Sequence, residues 1–157
     1  MSSTIIFGFN KKGNSEEIAE VKNAWLGAFA VWEHLTQKYL KKSMSLSNGK
    51  ETWNLIDDDR LNKVEKIVLL STFDNVIIRK EEIPELIKAY REFEYKQTTL
   101  KEQSIILEIL LKERKDIEYI GFHQNSISCS MWNNCNLFKV KHYFLFDDST
   151  IKGSDKK

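Results

Sequence analysis

The sequence predicts an α+β fold, with about four helices packed on a mainly antiparallel sheet of about five strands in the order β-α-α-β-α-α-β-β-β. Apolar residues recur at spacings of three and four through the first two thirds of the chain, and the period changes to two after Asp116. Two long helices in succession are read twice, which the strict strand–helix alternation of a doubly wound α/β fold would not allow. With 157 residues, 41% of them hydrophobic and 30% charged, one domain over residues 1–149 is expected, followed by a polar, frayed tail at 150–157. A chain of this length buries about 70% of its extended-chain surface, enough for a core without disulfides or a structural metal.

The run Thr4 to Phe9 is β-branched and aromatic and reads as a strand, closed by a turn from Asn10 to Asn14. Asn14 stands three residues before Glu17, a loose capping box, and Ile18, Val21, Trp25, Phe29, Trp32, Leu35 and Tyr39 follow at helical spacing. A helix over residues 15–42, about 42 Å long, is therefore expected. Residues 41–53, rich in serine with Asn48 and Gly49, read as an exposed loop. Asp57, Asp58 and Asp59 then look like acidic caps of a helix near 60–71, and the turn Asp74-Asn75 leads into a strand at Val76 to Ile78.

Pro84 suits the first turn of a helix that continues through Leu86, Ile87, Tyr90 and Phe93. Thr99 and Glu102 form a T-x-x-E capping box, and Leu100 to Leu111 is apolar on two sides, which predicts a helix more buried than its neighbours. Alternation then marks strands at Ile117 to Phe122 and Ile127 to Met131, a turn at Trp132-Asn133-Asn134, and a last long strand from Phe138 to Phe146. No internal repeat or low-complexity linker interrupts the chain.

Lys and Arg number 24 against 23 Asp and Glu, a net charge of +1, so a polyanionic partner is not implied. The basic clusters Lys38, Lys41, Lys42 and Lys112, Arg114, Lys115 sit at helix ends, where the dipole explains them without nucleic acid. Only Arg60, Arg79, Arg91 and Arg114 are arginine, a lysine bias that points to an AT-rich genome such as that of a low-GC bacterium or its phage. No apolar run reaches the ~18 residues of a membrane span, and no leader pattern opens the chain. A cytoplasmic setting with reduced thiols is expected.

Gly8 to Ser15 resembles a phosphate loop in outline, but Asn14 stands where such a loop needs lysine. What remains is an anion or nucleotide sensor in which Lys11, Lys12, Asn14 and Ser15 gather at a strand-to-helix turn and offer free amides. His123, Cys129, Cys135 and His142 have residue types that suit zinc, yet their spacings of six, six and seven do not match paired ligands on tight turns. A thiol enzyme would pair Cys129 with His123 or His142 and orient the imidazole with Asp147 or Asp148. No cofactor is implied by any of these sets.

The strand connections concentrate a different chemistry. Gln124, Asn125, Ser126, Trp132, Asn133 and Asn134 combine adaptable donors and acceptors with an aromatic anchor, and Trp53 in the polar loop is a second anchor. The reading reached is a non-enzymatic protein-binding protein whose partner is a toxin, nuclease or defence enzyme: an immunity protein or a phage anti-defence inhibitor.

Overall fold

The computed structural model describes residues 3–22, 26–44, 49–124 and 135–154. Strands β1 (Ser3–Asn10), β2 (Ser15–Lys22), β3 (Val76–Arg79), β4 (Ile117–Gln124) and β5 (Tyr143–Phe144) form one sheet in the order β2-β1-β4-β3-β5. The β1–β2, β1–β4 and β3–β4 pairings are antiparallel and β3–β5 is parallel. The helices are α1 (Ala28–Leu40), α2 (Gly49–Trp53), α3 (Lys63–Leu70), α4 (Ile83–Glu92), α5 (Leu100–Glu113) and α6 (Ser149–Ser154). The α+β class, with helices against a mainly antiparallel sheet in a single domain, is the one expected.

The largest departure lies at residues 15–22, expected as the start of a helix and found as β2. The chain reverses at Lys11-Lys12-Gly13 because Gly13 takes φ +85 and the Asn10 carboxamide oxygen accepts from the amides of Lys12 and Asn14, each at 3.0 Å. A left-handed third residue in a three-residue loop favours a hairpin. The helical spacing of Ile18 and Val21 has a strand explanation. Ile6 pairs with Ala19 and Phe7 with Glu17, so Ile18 is the extra residue of a bulge, and it packs on the helix-side core. Glu16, Glu17, Glu20 and Lys22 leave this edge strand charged and exposed, which discourages edge-to-edge pairing.

A second bulge corrects the alternation read in β4. Phe9 pairs with Tyr119 and Asn10 with Ile117, leaving Glu118 unpaired. Ile117 therefore joins Ile120 and Phe122 in the core under the helices, where Ile6, Val76 and Ile78 meet Val31, Leu35, Val68 and Leu86. Trp25 lies outside the described residues. Helix α3 starts on Asn62 rather than the aspartates: Asn62 Oδ1 accepts from the Glu65 amide at 2.8 Å and Glu65 accepts from the Asn62 amide at 2.9 Å. At α5 the position was anticipated but the box was not formed, since Thr99 Oγ1 accepts from Gln103 instead. The expected second buried side of that helix leaves Ile105 and Ile109 exposed.

The other face of the sheet is covered by the C-terminal segment, not by a long last strand. Leu137, fully buried, lies on Phe7, Phe9 and Ile77, with Cys135, Val140 and Phe144 around it. Asn136 holds this strap to the hairpin tip: its Nδ2 donates to Lys12 O at 2.9 Å and Asn14 Oδ1 at 3.0 Å, while the Leu137 amide donates to Gly13 O at 2.7 Å. The chain then pairs with β3 over Tyr143 and Phe144 only. The tail expected to fray from residue 150 begins instead with α6, which buries Ile151. The expected strand Ile127 to Met131 and turn at 132–134 lie outside the described residues.

Gly13 is the position where backbone and packing coincide. A Cβ there would stand 2.7 Å from the Phe138 ring and 2.9 Å from Asn136 Oδ1, in addition to the cost of positive φ. Gly13→Ala is expected to lower unfolding free energy in urea by about 2 kcal/mol. A variant as stable as the parent would show that the clasp between hairpin and strap does not hold the second layer.

Candidate functional site

At one end of the sheet, β1 and β3 begin, β4 ends and β5 enters, and a cleft of about 270 Å³ opens there between the sheet and the helices. Among the described residues it is lined by Trp32, Trp53, Thr72, Phe73, Asp74, Gln124 and Tyr143. Helix α1 delivers Trp32, buried except for its cleft edge, whose Nε1 donates to Thr72 Oγ1 at 2.8 Å; the Thr72 hydroxyl donates onward to Leu69 O at 2.6 Å. Trp53 closes α2 and meets Trp32 edge to face at 6.1 Å. Its ring lies over Gly49, where a Cβ would be 3.2 Å away, so a glycine at that place lets the indole settle while 39% of the residue stays exposed.

The sheet supplies the opposite wall. Gln124 is buried and its Oε1 accepts from the Thr4 hydroxyl at 2.7 Å. The Asp74-Asn75 turn, with Asn75 at φ 68, carries Asp74 to the rim, and the Tyr143 amide donates to Asn75 O at 3.0 Å. Tyr143 is 40% exposed, and burial of its ring, then the Asp148 and Asp74 carboxylates, push its hydroxyl above the ordinary tyrosine value. Asp148 is occupied in accepting from the Thr150 amide and hydroxyl, whereas the Asp74 carboxylate makes no hydrogen bond or ion pair among the described residues.

Two of the residues expected to bind a partner, Trp53 and Gln124, are thus brought into one cleft across 71 positions of sequence. Asn125, Ser126, Trp132, Asn133 and Asn134 lie outside the described residues. The sequence does not single out Tyr143, Trp32 or Asp74, because its pattern places Tyr143 within a long strand, Trp32 within a core stripe and Asp74 in a turn.

The proposed anion site changes character. Lys11 and Lys12 are exposed at a hairpin tip, Asn14 bridges to Asn136 and Ser15 starts β2, so no helix offers amides at Gly8 to Ser15. Asn14 Oδ1 accepts from Asn136, and Ser15 Oγ accepts from the Cys135 amide at 3.3 Å. The strand-to-helix premise of the anion or nucleotide sensor is replaced by a clasp.

The described members of the zinc and thiol sets, His123, Cys135 and His142, are not brought together. His123 pairs with Ile5, while Cys135 is bonded to Ser15, the partner of Phe9, which puts them about 13 Å apart along the strands. His142 Nδ1 lies 2.8 Å from Val140 O with its ring against Phe144, and the residue leads into β5, which β3 separates from β4 by roughly 10 Å. Cys129 is outside the described residues. Burial raises the Cys135 thiol, against its bonds from Ser15 and the backbone. Asp147, named as an orienting carboxylate, is held by Arg79. Among the described residues no three His, Cys, Asp or Glu side chains are placed to hold a metal ion, and no helix is long and apolar enough to cross a membrane.

This chain matches no protein-family model, no curated protein and no solved structure.

Away from the cleft, the surface is stitched by cation–carboxylate pairs. Arg114 reaches Glu16 at 2.6 Å and Asp116 at 3.0 Å, tying α5 to the edge of the sheet, and Lys38 bonds Glu65 at 2.8 Å and Glu94 at 2.6 Å. Burial pulls the Lys38 ammonium down, but its bonds to Glu65 and Glu94 outweigh that and raise it. Hydrogen bonds from Arg114, Arg60, Lys38 and Arg79 hold the carboxyls of Glu16, Asp116, Asp58, Glu94 and Asp147 below their ordinary values of 4.5 for Glu and 3.8 for Asp. A depressed folded-state value means that the unfolded chain takes up protons first as pH falls. Their stabilisation is complete above those ordinary values and is lost on acidification through and below them. The thermal midpoint is therefore expected to fall between pH 6 and pH 3, and to fall less in high salt, where exposed pairs are screened at the outset. A midpoint flat across that interval would remove these pairs from the account of stability.

Proposed function

We propose that the protein is a non-enzymatic binding protein that recognises a protein partner through the Trp53–Tyr143 cleft, in the manner of an immunity protein or a phage anti-defence inhibitor acting in the cytoplasm. The observation that carries this reading is the meeting of Trp53, Gln124 and Tyr143 at one end of the sheet. Half-exposed aromatics beside a small apolar depression supply contact area at low entropic cost, and binding hot spots are enriched in tryptophan and tyrosine. At about 270 Å³ the cleft is smaller than the ~300–1,000 Å³ typical of pockets for drug-sized ligands, and it suits one inserted side chain.

The chemistry-bearing side chains fit this reading as structural parts. His142 is turned to its own backbone, Asp147 to Arg79 and Cys135 to the hairpin clasp. Each has a packing role that does not require turnover.

Native mass spectrometry of tagged protein recovered from its own host would identify the partner. Trp53→Ala and Tyr143→Ala are each expected to weaken that complex at least tenfold, a hot-spot cost of about 1.4 kcal/mol or more. Tyr143→Ala should shift the thermal midpoint by only a few degrees, as a 40% exposed residue on a two-residue edge strand. A complex indifferent to both substitutions would place recognition elsewhere on the surface.

A further inference from the structure

Resting on the reading of this cleft as the recognition surface, we infer that its occupant is an arginine side chain of the partner, with the guanidinium held against the Trp53 and Tyr143 rings and paired with the Asp74 carboxylate. The first support is the composition of the lining. Trp32, Trp53, Phe73 and Tyr143 supply aromatic surface, Asp74 supplies the one carboxylate, and no lysine or arginine is present among the described lining residues. An aromatic wall with a carboxylate at its rim attracts a cation by two independent routes, the ring quadrupole and direct charge.

The second support is what the walls leave free. The Trp32 indole N–H is used by Thr72, the Thr72 hydroxyl by Leu69 O, and Gln124 Oε1 by Thr4. Ring faces, the Gln124 carboxamide nitrogen, the Tyr143 hydroxyl and the Asp74 carboxylate remain, and of these only Asp74 carries charge; it has no cation of its own chain among the described residues. A planar, weakly hydrated cation that stacks and pairs in two-point fashion finds what it needs, and this favours guanidinium over the compact, strongly hydrated ammonium of lysine.

The third support is that the same chain already holds its own arginines this way. Arg79 lies 3.8 Å over the Phe144 ring and bonds both oxygens of Asp147, at 3.1 and 2.8 Å. Arg60 lies 5.3 Å over Tyr39 and grips Asp58. Phe144 is the neighbour of Tyr143 on β5, so one strand presents a filled aromatic–carboxylate pair and, one residue earlier, an open one made of Tyr143 and Asp74. The volume agrees, because about 270 Å³ corresponds to roughly nine waters, the scale of one long side chain.

The test compares two blocked amino acids of nearly equal shape, N-acetyl-arginine methylamide and its neutral counterpart N-acetyl-citrulline methylamide, titrated into the intact chain while the Trp32 and Trp53 indole N–H resonances are followed. The arginine compound is expected to shift both resonances and to bind about fivefold more tightly than the citrulline compound. Asp74→Asn should reduce that preference by about threefold without moving citrulline binding, and Tyr143→Phe, which keeps the ring, should preserve it. Equal binding of the two compounds, or no shift with either, overturns the inference. The citrulline comparison on the parent protein decides the matter even where a variant folds poorly. Equal binding would leave the cleft as a recognition surface without a guanidinium, whereas a partner complex unaffected by Trp53→Ala would remove the recognition reading itself.

Discussion

The layer on the strap side of the sheet depends on one carboxamide. Asn136 donates from Nδ2 to Lys12 O and Asn14 Oδ1, and its Oδ1 accepts from the Phe138 amide, so a single side chain joins the hairpin tip to the start of the strap and caps the turn that follows. Leu137 is thereby pressed onto Phe7, Phe9 and Ile77, a face of the sheet that would otherwise lie in water. Burying a leucine side chain contributes about 2 kcal/mol, but its larger consequence is directional. With residue 137 fixed at the hairpin end, the chain must cross the sheet to reach β3, and it arrives with Tyr143 beside Val76 at the opposite end. The cleft's outer wall is placed by a clasp that never touches it.

The two sides of the sheet are built on different terms. Under the helices the core is broad and aliphatic, and the polar side chains within it are paired: Glu65 is 2% exposed and receives Lys38, Tyr39 and the Asn62 amide. Such an arrangement holds a buried carboxylate only while every partner is present. On the strap side the layer is thin, a few side chains deep, and relies on aromatic contacts such as Tyr119 with Phe138 and Phe144. The edges of the sheet are blunted in two ways, by charge on β2 and by brevity on β5.

Much of the helical layer was legible in the sequence, since helices α3, α4 and α5 announce themselves through apolar spacing and Pro84. What was not legible is traceable to single residues. The extra residue Ile18 in β2 converts a period of two into an apparent period of three, and the neighbouring α1 stripe made the imitation complete. Glu118 does the same in smaller measure in β4. At the C-terminus the alternation Phe138, Val140, His142, Phe144 looks like a strand, but Asn136 caps a turn at Leu137–Lys139 and the segment lies across the sheet instead of extending it. Of the site, Trp53 and Gln124 could be singled out by residue type, while Tyr143 and Asp74 could not, because their significance comes from a parallel pairing between β3 and β5 that no local pattern encodes.

That pairing also concentrates cost at the same end of the sheet. The buried side-chain atoms without a hydrogen-bond partner, among the described residues, are Ser3 Oγ, Asn75 Oδ1 and His123 Nε2. Ser3 opens β1, Asn75 precedes β3, and His123 is next to the last residue of β4, so all three lie at the cleft end of the sheet, but Ser3 and His123 share the Ile5 and Phe7 face and turn toward the strap side, away from the cleft. An unmet buried polar atom costs about 1–3 kcal/mol. Elsewhere the same fold satisfies far more demanding groups, Glu65 above all. The contrast follows the layers: the deep helix-side core surrounds Glu65 with partners, whereas Ser3 and His123 lie under the thin strap side, where few polar groups are within reach.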